Sequence, residues 1–119
     1  MKIFRRRYEM TLNRVHDTVT IREGDDKITL TVNGDAMRIV AGLTKAQAKM
    51  KELTDDSPDE VVKECAEYFA AVIFGAAQAA QLMAFYADDP GCVINVCGQY
   101  FKERLAGKIS AMQKRMKDA

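Results

Sequence analysis

Serine and histidine are almost missing from this chain of 119 residues: Ser57, Ser110 and His16 are the only ones. Ser57 stands just before a proline and Ser110 lies among basic residues near the end, so neither has the setting of a hydrolytic nucleophile. Glycine-rich loops of nucleotide-binding spacing are absent too, because Gly91, Gly98 and Gly107 are spread through one helical segment. Prolines are limited to Pro58 and Pro90. Cysteine numbers three, Cys65, Cys92 and Cys97, an odd count at no disulfide-framework spacing. Together with the lack of a signal peptide, this predicts a reducing cytoplasm. The longest weakly polar run, residues 68–87, holds two glutamines and many alanines and reads as a packed helical segment, not a membrane span. No catalytic residue, cofactor-binding residue or metal ligand is assigned.

What is present suits one soluble domain over residues 1–119, with a β-sheet region at 1–34 and a helical region at 35–119. The formal net charge is only +1, with a basic start, a basic end and an acidic stretch from Asp55 to Glu67 between them. Opposite fields on one small body predict self-association or a protein partner. Nucleic acid and membrane are not expected as partners.

Residues 7–32 alternate. Tyr8, Met10 and Leu12, then Val19 and Ile21, then Ile28, Leu30 and Val32 are separated by polar residues, which predicts half-buried strands. The segment 22–27, REGDDK, supplies a turn, and a third strand near residues 7–15 would make the hairpin a meander. Asp35 is placed to cap a helix. Ile39, Leu43, Ala46, Met50 and Leu53 then form a helical stripe, which Gly42 and a capping box from Thr44 to Gln47 could split. Ser57 as N-cap with Pro58 opens the next helix, and Gly75 ends it before a shorter one. Asp88 or Asp89 caps the last helix and Pro90 opens it. The fold class is therefore α+β: a small antiparallel sheet, then three or four helices, the last one long.

Cys92 and Cys97 would point about 140° apart on a helix, the wrong geometry for gripping one metal. Cys92 near a helix N-terminus could be an activated thiol, although Asp88 and Asp89 oppose that. The three glycines of the last helix read as sites of close backbone packing, with a hinge as the other reading. The last helix carries Ile94, Cys97, Phe101, Leu105, Ile109, Met112 and Met116 at steps of three and four. Phe101, Leu105, Ile109, Met112 and Met116 are the candidate partner-binding residues, since methionines adapt to irregular neighbours. On this reading Leu105→Asp or Ile109→Asp leaves the domain folded and abolishes partner binding.

The strands TVTIREGDDKITLTVNGD, the helix end VIFG, the L-x-A-F-Y before the acidic break and the long helix of AAQLMAFYADDPGCVINVCGQYFKERLAGKI resemble the tail assembly chaperones of long-tailed bacteriophages. The likeness runs over residues 18–117, while the N-terminal MKIFRRRYEM lies outside it. The resemblance implies a non-enzymatic protein that coats the aggregation-prone tape-measure protein during tail morphogenesis and is later shed; a homo-oligomer is expected separately, from the opposite charge fields and the apolar stripe of the last helix. The rival expectations are a thiol-dependent enzyme or redox sensor using Cys92, and a small nucleic-acid-binding regulator.

Overall fold

The computed structural model describes residues 14–118; the greater part of the strand expected near residues 7–15 lies outside them. Strands β1 (Arg14–Glu23) and β2 (Asp26–Asp35) pair antiparallel, with Glu23 opposite Asp26 across a two-residue turn. Period two then decides which side chains go inward. Val15, Leu30 and Val32 are buried, and His16, Thr18, Thr20, Thr29 and Thr31 are exposed on the other face. His16 thus lies within β1 opposite Asn33.

A hairpin alone is marginal in water, so its apolar face needs helices. Four follow, the last long: α1 (Ala36–Lys51), α2 (Asp59–Phe74), α3 (Ala76–Phe85), and a final helix made of α4 (Pro90–Tyr100), a π-helical turn (Phe101–Leu105) and α5 (Ala106–Asp118). Among the described residues no helix is long and apolar enough to cross a membrane.

The helix boundaries show which local signals were obeyed. Asp35 caps α1 as expected, its Oδ1 accepting from the Met37 and Arg38 backbone N–H groups at 2.8 and 3.3 Å. Gly42 does not split α1, which runs unbroken, and Thr44 donates back to the Val40 carbonyl instead of capping. A Cβ on Gly42 would stand 2.7 Å from Val72 Cγ1, so this glycine marks where α1 and α2 approach closely. Ser57 is not the N-cap of α2, a position held by Pro58. Its hydroxyl instead accepts from the Thr54 N–H at 2.8 Å and closes the preceding loop. Gly75 separates α2 from α3 at φ +89°, a conformation that favours glycine. Asp89 occupies the N-cap position of α4 without a side-chain cap bond, and its Oδ2 accepts the Cys92 thiol at 3.2 Å.

One hydrophobic core joins the inward face of the hairpin to all the helices, including Ile39, Leu43, Phe69, Leu82, Val93 and Leu105. Each such side chain contributes about 1.5–3 kcal/mol by leaving water. Two polar links tie the hairpin to α3 and to the residue that follows it. Gln78 accepts from the Thr31 N–H and donates to the Thr31 carbonyl, so its amide stands where a third strand would pair and blocks that edge of β2. Tyr86 donates to Glu23 at 2.9 Å near the hairpin tip.

Candidate docking groove

The π-helical turn decides what the last helix presents. Its buried residues are Val93, Cys97, Tyr100, Leu105 and Ile109, so the inward step from Tyr100 to Leu105 is five residues. On an α-helix that step would swing Leu105 by about 140°. The π turn absorbs it, with the Ala106 N–H bonding the Phe101 carbonyl five residues back. Leu105 is thereby returned to the core and Phe101 is displaced to its edge, half-buried.

Phe101 lies between two hollows. One, of about 540 Å³, opens between α1, α2 and the last helix over Leu43, Met50, Phe69, Ile94 and Gly98. The other, of about 260 Å³, continues past Phe101 along Val40, Thr44 and Ile109 to Gln113. Both are lined by Leu43, Gln47 and Phe101, so they form one apolar groove with a polar rim. Its width depends on Gly98. Nothing stands within 4 Å of where a Cβ would be at Gly98, and the same is true of Gly107. The expected close packing on these two glycines is therefore not what they serve. Gly91 meets only Asp89 Oδ1, at 3.2 Å. At Gly98 the missing side chain leaves the groove open.

The structure redistributes the candidate partner-binding residues. Leu105 is wholly buried and offers a partner no free surface in this conformation, whereas Ile109 is a core side chain whose 7% exposed surface lies in the second hollow. Phe101 and Met112 are half-buried and accessible, and the side chain of Met116 lies outside the described residues. Leu43, Met50, Ile94 and Gly98 line the groove without having been singled out for binding, because it lies between two helices and no single periodicity records it.

Behind the groove the last helix is fastened to β1. Arg104 donates two hydrogen bonds to Asp17, both 2.8 Å, and Tyr100 donates a third at 2.9 Å. Asp17 also accepts from the Thr18 N–H at 3.0 Å. The Arg104 bonds, more than the opposing effect of burial, lower the Asp17 carboxyl from 3.8 to about 2, and the Tyr100 and Thr18 bonds act in the same direction. No sequence pattern pairs residues 87 positions apart.

A depressed carboxyl stabilises the fold fully above its unfolded value and loses that contribution as pH falls through its folded one. The Asp17 contribution should therefore be complete above pH 3.8 and fade toward about pH 2. Asp17→Asn should cost about 1–2 kcal/mol at neutral pH, less than a fully buried pair, since water screens Arg104, whose side chain is 56% exposed. Urea titrations at pH 7 and near pH 2 check this. Variant and wild type should differ at the first and converge at the second; an equal gap at both would show that Asp17 acts by shape alone.

The thiols are held in their protonated form. Burial raises Cys65 and pushes Cys97 up to about 12, while the hydrogen bond to Asp89 raises Cys92. The helix start that could have activated Cys92 is thus countered by its own N-cap aspartate.

No protein-family model, curated protein or solved structure matches this chain, so the geometry of the groove carries the functional argument.

Proposed function

We propose that the chain is a binding module without catalytic activity that holds amphipathic helical segments of a tape-measure protein during phage tail assembly. The observation that carries this reading is the apolar groove around Phe101, open along the last helix and rimmed by Gln47, Asn95, Gln99, Lys102 and Glu103. A helix docks in such a groove through residues spaced at i, i+3 or i+4, and i+7, and the polar rim satisfies its flanks. The half-buried methionines Met50 and Met112 suit a surface that must accept many related segments. The resemblance read from residues 18–117 supplies the identity of the client.

Gly98→Leu tests the groove without touching the core. The position has open space and lies inside a helix, so leucine should keep or raise stability by about 0.5–1 kcal/mol while filling the cleft. Coexpressed tape-measure protein should stay soluble with the wild type and precipitate with Gly98→Leu or Phe101→Asp, with circular dichroism unchanged. A Gly98→Leu protein that keeps its client soluble would place the docking surface elsewhere.

A further inference from the structure

The groove has two ends of different charge. Along it α1 and the last helix run antiparallel: Met50 and Gln47 lie by Asn95 and Gly98, whereas Val40 and Thr44 lie by Ser110 and Gln113. At the Met50 end α1 gives way to the loop carrying Asp55 and Asp56 and to the start of α2 with Asp59 and Glu60, all four exposed. At the other end α5 continues past Ile109 as a cationic arm. Met112 is half-buried there, packed on one side against its own core, and Lys114, Arg115 and Lys117 are exposed. The length of α1, about 24 Å for its 16 residues, separates this arm from the acidic loop of the same molecule. That exceeds the Debye length of about 10 Å at 0.1 M salt, so the two poles do not neutralise each other within one copy.

We infer that the occupant of the groove in the absence of a client is the α5 arm of a second copy of this chain. Its Met112 enters beside Met50 and Ile94, and its three cations meet the acidic loop. The reading rests on the groove being a helix-docking site. The contact is heterologous: arm of one copy, groove of the next. It can be satisfied reciprocally in a two-fold pair, each arm in the other copy's groove, or head to tail in a ring or short chain. The arm is short compared with an interface of about 800 Å² per partner, so association is weak and salt-sensitive, and a client helix can displace it.

Two charge-reversed proteins test this: an arm variant, K114E/R115E/K117E, and a loop variant, D55K/D56K/D59K. The substituted residues are exposed, and the groove lining is unchanged in both. Light scattering at about 50 mM salt should show wild type assembling with concentration and dissociating at about 500 mM, where screening shortens the Debye length severalfold. Each variant alone should remain monomeric, and an equimolar mixture should assemble again, because each arm then meets a loop of opposite charge on the other variant. Wild type that stays monomeric at low salt, or variants that assemble alone as wild type does, would overturn the inference. So would a mixture that fails to pair. Client solubilisation, read on the same proteins, separates the two proposals. If the variants hold the client but no self-association pattern appears, only the arm contact is wrong. If Gly98→Leu still holds the client, the groove reading itself fails.

Discussion

Leu105→Asp should yield no folded protein. Leu105 has no exposed surface and stands at the end of the π turn, where the last helix joins the shared core. Truncating a buried leucine costs about 2–5 kcal/mol. Introducing a carboxyl group there adds several more, since nothing buried nearby offers it a partner. Against a total stability of about 5–15 kcal/mol for a small domain, this is enough to unfold it. Circular dichroism should show no cooperative thermal transition, and Leu105→Ala should melt well below the wild type. A folded Leu105→Asp protein with wild-type melting would mean that the end of the last helix detaches from the core without cost, restoring Leu105 as a docking residue. Phe101→Asp, four residues earlier, should by contrast stay folded, because Phe101 is half-buried at the groove and not in the interior.

A second large effect is expected at Gly42. A Cβ there would approach Val72 Cγ1 and Cγ2 at 2.7 and 2.8 Å, closer than side-chain carbons tolerate, and valine has little freedom to turn away. Gly42→Ala gains about 1 kcal/mol of helix propensity yet loses more through overpacking, which costs about 1–3 kcal/mol. Gly42→Leu should lose at least about 3 kcal/mol, as α1 and α2 are forced apart. Val72→Ala removes both obstructing methyl groups, so the double variant Gly42→Ala/Val72→Ala should recover much of the stability lost by Gly42→Ala. Denaturation of the four proteins in a double-mutant cycle gives the coupling. A Gly42→Ala protein more stable than wild type, with no coupling to Val72, would show that the helices do not approach as closely as described.

Fold class was legible because short-range rules decided it. Alternation from Val19 to Val32 could satisfy only strands, Asp35 had free N–H groups directly after it, and Gly75 stood where the chain needed a positive φ. The same rules misjudged positions with a competing partner. Ser57 and Asp89 have the chemistry of caps, but the Ser57 hydroxyl went to a loop N–H, and Asp89 makes its side-chain bond to a thiol and none to the helix backbone. Gly42 looked like a break to any local criterion, and only the presence of Val72 on another helix gives it a purpose.

The groove shows the division most plainly. Sequence determined that the last helix carries more apolar residues than one face can bury, and it set the steps of three and four that joined Phe101 to Leu105. It could not record the π turn, which places Leu105 inside and Phe101 at the edge, because a five-residue hydrogen bond leaves no periodic mark. Nor could it pair Asp17 with Arg104, or set Leu43 and Met50 opposite Gly98. These are contacts between segments distant along the chain, fixed by how the helices pack once the hairpin face is covered. Local propensity chose the elements; burial of their combined surfaces chose which residues remained for a partner.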